Sequence, residues 1–170
     1  MRRGGFLLAL AGAAMMLSGC ATSAGQAAAE APAIYVMRHL EKGEGADPGL
    51  SAAGAANAAR LAAWFEGRAK PRAIYVSTTR RARETAAPLA ARLGLTPKAY
   101  NPADTPALLA QVRAEPGSVL VVGHSNTVPA IVAALGGRPI DPIPDDRYGD
   151  VYVVVIPKTG EPRLMQMRVQ

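Results

Sequence analysis

The sequence predicts an α/β fold: a three-layer sandwich in which a mostly parallel central sheet is flanked by helices. Short apolar runs alternate with alanine-rich segments along most of the chain, and strands that alternate with helices build parallel βαβ units. The 170 residues fit one domain. Apolar residues make up 49% of the chain and aromatic residues only 5%, so we expect a core of Ala, Val, Leu and Ile.

The elements follow from short apolar runs and from helix-terminating residues. Ser51 is a suitable N-cap for the first helix, Gly94 ends the second, Asp104 or Thr105 begins the third, and Gly136 stops the fourth. The predicted helices are 51–65, 80–93, 105–114 and 128–135. The predicted strands are 33–37, 72–76, 96–100, 119–122, 151–156 and 163–169. Residues 139–146 are rich in proline and aspartate, a composition that predicts a loop.

The first 19 residues are typical of a lipoprotein signal peptide. A positively charged start precedes an apolar run of 12 residues at 6–17, which is shorter than the roughly 20 residues that a membrane-spanning helix needs. The stretch from Leu17 to Cys20 resembles the lipobox of bacterial lipoproteins, in which the signal is cleaved before a lipidated cysteine. The alternatives are an ordinary signal peptide cleaved elsewhere and a buried helix with an incidental cysteine.

A lipidated Cys20 implies that the domain is located outside the cytoplasm. Cys20 is the only cysteine, so it has no partner for an intrachain disulfide. Residues 20–32 are small and polar and predict a flexible, lipidated tether, which leaves 33–170 for the domain. The alanine after Cys20 resembles the sorting pattern for the outer membrane of Gram-negative bacteria. We therefore expect a domain on the periplasmic side of a membrane, in contact with it through the lipid anchor.

The net charge of the chain excludes few classes of binding partner. The formal net charge is +6, or +4 without Arg2 and Arg3 of the leader, since 17 basic and 13 acidic residues remain. This surplus suits anionic small molecules without selecting them. No long basic run and no interleaving of basic with aromatic residues indicates nucleic-acid binding. Trp64 and Phe65 are interpreted as core or interface residues, and the sequence leaves the oligomeric state open.

Chemically capable side chains follow three predicted strands. Arg38 and His39 follow the first, Arg81 follows the second within a short segment, and His124 follows the next clear buried strand. The chain has only two histidines, and each comes directly after a strand. Because ligands of open parallel sheets bind beyond the carboxyl ends of the strands, we expect these four side chains to converge.

Two imidazoles and two guanidinium groups at helix starts describe a pocket for phosphoryl transfer. Imidazole acts as nucleophile or acid–base near neutral pH, arginine offers a fork of donors to phosphate oxygens, and helix N-termini add N–H donors. Developing charge would be stabilised by these donors rather than by a metal. Adjacent arginines oppose a bound cation, so we expect no metal and no cofactor. The acidic group of Asp145, Asp146 and Asp150 is interpreted as a solvated loop rather than a cation site.

The three segments together resemble the histidine phosphatase superfamily, also called phosphoglycerate mutase-like. Arg38-His39 is similar to the family's Arg-His-Gly signature, and Ser77 and Arg81 match its Ser-x-x-x-Arg-Ala-x-x-Thr-Ala segment. His124 matches its Gly-His segment, and the stretch 47–54 is also similar. The resemblance implies that His39 is the nucleophile that becomes phosphohistidine, with the two arginines binding phosphate and His124 contacting the transferred group.

The sequence departs from the family in two respects. Leu40 stands where the family has glycine, and we expect it to narrow the pocket beside His39. The proton donor for the leaving group has three candidates, Asp104, Glu41 and Glu115. Asp104 is preferred because it lies in a loop between the second arginine and the second histidine; its alternative role is a helix N-cap.

The expected function is a metal-independent phosphatase that hydrolyses phosphate monoesters through a phosphohistidine intermediate. The domain is small and resembles uncapped members of the family, such as the small phosphohistidine phosphatases. A bacterial envelope location favours a small-molecule or envelope phosphate ester as substrate. The alternatives are a non-catalytic anion-binding envelope lipoprotein on the same fold and a phosphomutase.

Overall fold

The computed structural model of the chain describes Met1 and residues 31–169. The predicted signal peptide, Cys20 and the tether up to residue 30 lie outside these described residues. Within the described part of the chain, no helix combines the length and the hydropathy that crossing a bilayer requires.

A six-stranded mixed sheet forms the centre of the molecule. Its strands are β1 (Ala33–Arg38), β2 (Ala73–Ser77), β3 (Lys98–Tyr100), β4 (Val119–Gly123), β5 (Asp150–Val155) and β6 (Arg163–Arg168). The order across the sheet is β3-β2-β4-β1-β5-β6. The first four in that order are parallel neighbours, whereas β5 runs antiparallel to β1 and β6 antiparallel to β5. The prediction of a mostly parallel α/β sheet is confirmed, with two antiparallel strands at one edge.

Four helices cover the two faces of this sheet. They are α1 (Ala52–Trp64), α2 (Arg80–Leu93), α3 (Thr105–Ala114) and α4 (Val128–Ala134). The buried apolar residues of α1 and α2 form one core cluster with one face of the sheet, and those of α3 and α4 form a second cluster with the other face. The alternation is visible along β1, where Met37 belongs to the first cluster and Val36 to the second, as the period of two in a strand requires.

The start of α1 explains part of the stretch at 47–54. The Ser51 side chain accepts a hydrogen bond from the backbone N–H of Gly54 at 3.1 Å, and the Ser51 N–H donates to the Glu41 carbonyl at 2.9 Å. A Cβ on Gly54 would lie 2.1 Å from that same carbonyl oxygen, so a side chain there would clash with backbone. The serine and the glycine together dock α1 against the segment that leaves β1.

The register of the sheet aligns the strand ends that carry the predicted chemistry. Arg38 is level with Gly123 across β1 and β4, and Val76 is level with Val122 across β2 and β4. The His39 N–H continues this pairing and donates to the Gly123 carbonyl at 2.9 Å. Because β4 lies between β1 and β2, the residues that follow all three strands meet at one edge.

Candidate active site

A cavity of ≈ 510 Å³ at this edge brings together the four side chains that the sequence singles out. Arg38, His39, Arg81 and His124 all line it, and the remaining lining residues come from the loops that follow β1, β2, β3 and β4 and from the loop before β5. Those residues are Lys42, Thr79, Pro102, Ala103, Ser125, Asn126, Thr127 and Asp145.

The imidazole of His39 is held in one tautomer by two contacts. Nδ1 lies 2.8 Å from the Leu40 carbonyl oxygen, which only accepts, so Nδ1 carries the proton. Nε2 accepts a hydrogen bond from Nε of Arg81 at 3.1 Å, so Nε2 carries the lone pair. The ring is 3% exposed. Nε2, the ring nitrogen that lies beside Arg81, is therefore the unprotonated nitrogen of the ring, the form that a nucleophile requires.

Burial and neighbouring cations keep both histidines neutral. Desolvation lowers the pKa of His39 from 6.5 to about 4, with His124, Arg81 and Arg38 lowering it further and the bond to Leu40 opposing them. Desolvation also lowers the pKa of His124, again reinforced by the two arginines. The two ring centroids are 5.3 Å apart. An unprotonated imidazole is the form that can attack phosphorus.

His124 is fixed by Ser77 and by its own turn. Its Nε2 lies 2.8 Å from the Ser77 hydroxyl, which is fully buried at the end of β2, and its backbone N–H donates to Thr127 Oγ1 at 3.0 Å. A Cβ on Gly123 would lie 2.9 Å from that same Thr127 oxygen. The glycine before His124 thus permits a tight turn, and Ser77 sets the orientation of the ring.

Arg81 is positioned by the first turn of α2 and by Asp47. Besides its bond to His39, its Nη1 lies 3.6 Å from Asp47 Oδ1. The same carboxylate accepts from the Arg80 backbone N–H at 3.1 Å, so it occupies the anion-binding start of α2. Glu84 joins this arrangement by accepting from the Leu50 N–H at 2.6 Å. Glu84 therefore ties the loop after β1 to α2.

Arg38 is buried, and the backbone of the loop before β5 fixes its guanidinium. Its Nη1 donates to the carbonyls of Pro144, Asp145 and Arg147 at 2.7, 3.0 and 3.1 Å. Its guanidinium carbon lies 4.1 Å from the centre of the Tyr148 ring, and Nη2 is 3.3 Å from the Tyr148 hydroxyl. Its Nε is buried and has no partner among the described residues. A buried donor without a partner costs about 1–3 kcal/mol, which a bound anion would recover.

Leu40 lies in the core, contrary to the expectation that it narrows the pocket. It is fully buried, belongs to the cluster beneath α1 and α2, and is not among the residues that line the cavity. Its backbone N–H donates to Thr85 Oγ1 at 3.0 Å, and that hydroxyl donates to the Arg81 carbonyl at 2.8 Å. Thr85 of the second motif therefore links the backbone beside His39 to the helix that carries Arg81.

The structure does not bring the three candidate proton donors into the cavity. Asp104 is exposed and accepts from the Ala107 N–H at 3.0 Å as the N-cap of α3, which is the alternative role that its position allows. Glu41 accepts from Asn57 at 2.8 Å beside α1. Glu115 accepts from Tyr75 and from Lys98 at 2.6 Å, near the opposite ends of the strands. Among the described residues, Asp145 is the carboxyl that lines the cavity.

The acidic residues of the loop before β5 are engaged with arginines. Asp145 Oδ1 lies 3.6 Å from Nη2 of Arg38, while buried Asp150 accepts from Arg147 and lies 3.7 Å from Arg168. Across residues 31–169, no group of three or more histidine, cysteine or acidic side chains is arranged to hold a metal ion.

Two features of the site have no counterpart in the sequence analysis. Tyr148 contacts Arg38 through both its ring and its hydroxyl, and its ring centre is 6.1 Å from that of His39. Asp47 binds α2 and faces Arg81, although the sequence marks it only as part of a familiar stretch. A single tyrosine after a proline- and aspartate-rich loop gives no sequence signal for the contacts that Tyr148 makes through its ring and its hydroxyl.

Comparison with known families agrees with this geometry. Residues 34–102 match the sequence model of the histidine phosphatase superfamily, branch 1, a segment that includes Arg38, His39 and Arg81 but ends before His124. Together with the fold, this match confirms the resemblance that the motifs indicate.

Several solved structures share the fold. The protein histidine phosphatase SixA complexed with tungstate is 23% identical, with a TM-score of 0.63 over 80% of this chain and 96% of that one. A SixA structure from Agrobacterium tumefaciens is 24% identical, with a TM-score of 0.58 over 80% and 97% of the two chains. A mycobacterial glucosyl-3-phosphoglycerate phosphatase is 17% identical, with a TM-score of 0.65 over 81% and 98%. No curated protein sequence matches the chain.

Proposed function

We propose that this protein is a metal-independent phosphatase that hydrolyses phosphate monoesters through a phosphohistidine at His39. The observation that carries the proposal is the state of the His39 ring. Its Nε2 holds a lone pair, faces a guanidinium and lies in a cavity with a second imidazole and a second guanidinium. The fold shared with two kinds of phosphatase supports the same reaction class.

The first chemical step is transfer of the phosphoryl group to His39. The phosphate displaces Nε of Arg81 from Nε2 of His39 and accepts hydrogen bonds from the guanidinium instead. Nε2 then attacks phosphorus, the bond between phosphorus and the ester oxygen breaks, and the leaving oxygen takes up a proton. Nδ1 keeps its proton and its hydrogen bond to the Leu40 carbonyl oxygen, which stabilises the positive ring that forms.

The second step is hydrolysis of the phosphohistidine. A water molecule attacks phosphorus and gives one proton to the group that protonated the leaving oxygen, the P–N bond breaks, and inorganic phosphate leaves with the oxygen and the other proton of that water. The lone pair returns to Nε2. Ser125 and Asn126 line the cavity, are at least partly exposed, and have side chains suited to hold a water molecule. The fold shared with two kinds of phosphatase supports this hydrolytic step over return of the phosphoryl group to product, the reaction of a phosphomutase.

The position of Leu40 argues against the alternative of a non-catalytic anion-binding protein. Leu40 does not fill the cavity, since it is fully buried in the core on the far side of the backbone. A protein that only bound anions would need the arginines but not a neutral imidazole with its lone pair directed at one of them.

Hydrolysis of an aryl phosphate in EDTA tests the proposal. We expect the purified chain to release nitrophenol and His39→Ala to lose activity. With a substrate radiolabelled in its phosphate, quenching in alkali should trap a labelled protein whose label is lost in acid. Glu115→Gln is a matched control, because Glu115 lies near the opposite ends of the strands in contact with Lys98. A folded wild-type protein without activity, or His39→Ala with undiminished activity, would refute the mechanism.

We assign the role of proton donor to Asp145 instead of Asp104, because Asp145 lines the cavity. A general acid matters most when the leaving group is a poor one. Asp145→Asn should therefore slow hydrolysis of an alkyl phosphate much more than that of nitrophenyl phosphate. Asp104→Asn, which retains the cap of α3, should leave both rates unchanged. The opposite pattern would restore Asp104 as the donor.

We also propose an envelope location, with Cys20 as the site of lipidation. The support is the charged start, the apolar run and the lipobox-like sequence before Cys20. The substrates would then be phosphate esters of the envelope or its surroundings rather than cytoplasmic metabolites, with the acyl chains as the contact to the membrane. Incorporation of radiolabelled palmitate should be lost in Cys20→Ala, and retention of the label would exclude this cysteine.

A further inference from the structure

The helices leave part of the sheet uncovered beside β6. Between α1 and the edge of the sheet runs a groove, here called the β6 groove, with a volume of ≈ 610 Å³. Its floor is apolar and includes Val153, Val155, Met165 and Met167. Met165 is 50% exposed, which makes it the most exposed large apolar side chain in residues 31–169. The groove therefore presents exposed apolar surface at this edge of the sheet.

The rim of this groove is positively charged. Arg68 and Arg163 line the groove itself, and Arg68 also lines an adjoining cavity of ≈ 440 Å³ together with Arg60 and Arg168. No acidic side chain lines either cavity among the described residues. Arg168 is drawn towards Asp150, at 3.7 Å, but no ion pair to Arg60, Arg68 or Arg163 is formed within residues 31–169. The surface is therefore complementary to an anionic partner.

An aromatic residue of interfacial character lies at the junction of the two cavities. Trp64 ends α1, is partly exposed, and is covered by the guanidinium of Arg68 at 4.1 Å from its ring. A tryptophan beside arginines and exposed methionines matches the composition of surfaces that rest in the headgroup region of a bilayer.

The chain enters the domain through this groove. Ala31 and Ala33 both line it, and Cys20 precedes Ala31 by 11 residues. Eleven residues span at most about 40 Å when extended. If Cys20 carries lipid, the groove is always within reach of the bilayer, and docking becomes an intramolecular event that even a weak surface can complete.

We propose that the β6 groove docks the domain on an anionic phospholipid surface. Met165 and Met167 enter the headgroup region, and Arg60, Arg68 and Arg163 bind lipid phosphates. The groove lies at the start of β1, whereas His39 follows its end, about 20 Å away at about 3.3 Å per residue. Docking thus holds the catalytic cavity away from the bilayer, so that the substrate arrives from the aqueous side. The proposal depends on the envelope location but not on the phosphatase reaction.

Fluorescence of the single tryptophan tests this surface directly. The full chain is reconstituted in vesicles of phosphatidylcholine and phosphatidylglycerol whose acyl chains carry bromine, which quenches tryptophan on contact. We expect emission from Trp64 to be quenched, and quenching to weaken in high salt and in Arg60→Glu/Arg163→Glu. Because each arginine at an anionic surface is worth about fivefold in binding, this double variant should reduce docking by about 25-fold or more.

The matched control carries the same change of charge on the other side of the molecule. Arg113→Glu/Arg138→Glu alters exposed arginines that follow or belong to the helices on the opposite face, and it should not change quenching. Met165→Asp should reduce quenching without altering circular dichroism. Hydrolysis of an aryl phosphate, measured on the same samples, should be unaffected in every variant, which separates this proposal from that of the reaction.

Four results would overturn the proposal. The first is unquenched Trp64 in protein that floats with the vesicles, which would mean that the anchor holds the domain off the surface. The second is quenching that is equal in neutral vesicles and insensitive to the arginine variants. The third is failure of the full chain to float with anionic vesicles at low salt. The fourth is emission that shifts with protein concentration in the absence of lipid, which would mean that a second copy covers the groove.

Discussion

The pH dependence of His39 offers the sharpest test of the site. Burial lowers the pKa of this imidazole from 6.5 to about 4 in the folded protein. Between those two values the unfolded chain binds a proton at this residue and the folded chain does not. The free energy of unfolding therefore rises with pH across this interval and is independent of this group above it. The difference corresponds to about 3 kcal/mol, since one pKa unit is worth about 1.4 kcal/mol.

Two measurements follow the titration. The chain has only two histidines, so the imidazole signals in a carbon–proton NMR spectrum are few and can be assigned with His39→Asn and His124→Asn. The signal of His39 should titrate with a midpoint near 4. In urea denaturation, wild type should lose stability as pH falls from about 6.5 to about 4, and His39→Asn should lose about 3 kcal/mol less over that range. Asparagine preserves a donor for the Leu40 carbonyl but does not titrate.

A phosphate analogue should reverse part of the shift. An oxyanion beside Nε2 favours the protonated ring, so saturating tungstate or vanadate should raise the midpoint of His39. If His39 in the free protein titrates near 6.5 or above, the ring is solvated or already paired with an anion. The assignment of Nε2 as a ready nucleophile would then be refuted.

Three further predictions concern the surroundings of His39. Asp47→Asn removes a negative charge 3.6 Å from Arg81 and should tighten inhibition by inorganic phosphate by up to about fivefold at low salt. At high salt the effect on inhibition should be small. Weaker inhibition of Asp47→Asn than of the wild type would contradict this prediction. Tyr148→Ala removes the ring over Arg38 and should lower kcat/KM for an aryl phosphate about 3- to 30-fold, whereas Tyr148→Phe, which keeps the ring, should lower it less than about threefold. Leu40→Gly introduces the residue that the family has at this position. Because it empties a fully buried position, it should lower the free energy of unfolding in urea by about 3–5 kcal/mol. A gain in activity without loss of stability would show that Leu40 does restrict the pocket.

Most of the fold follows from local sequence signals. The bounds of α2 and α3 agree with the predicted helices, because Gly94 adopts a left-handed conformation at the end of one and Asp104 caps the start of the other. The convergence of the two histidines was also predictable, since parallel strands place their carboxyl ends at one edge. The sequence did not indicate that β5 pairs antiparallel to β1, because strand direction depends on the connection and not on the pattern within a strand.

The incorrect predictions share one cause: the position of a residue in the sequence does not determine what its side chain contacts in the fold. Asp104 lies between the required motifs in sequence, but the unpaired N–H groups at the start of α3 engage its carboxylate. Leu40 follows the nucleophile directly, but the chain has left the strand there and directs this side chain into the core. The hydrogen bonds that fix Arg38 are accepted by backbone carbonyls. Because every residue has a backbone carbonyl, the sequence gives no signal for these bonds.

The two arginines of the site differ in freedom, and in the mechanism proposed above this difference makes the cavity selective for phosphate. Arg38 is 5% exposed and held by three carbonyls, so it supplies a fixed charge. Arg81 is 20% exposed and bonded to the nucleophile itself, so it must move before His39 can react. A neutral ligand offers Arg81 no better acceptor than Nε2, whereas a phosphate offers charged oxygens whose hydrogen bonds are about twice as strong. The lone pair of His39 therefore becomes available when a phosphoryl group is present to receive it, and the same guanidinium that covers the nucleophile in the free protein then stabilises the charge of the transition state.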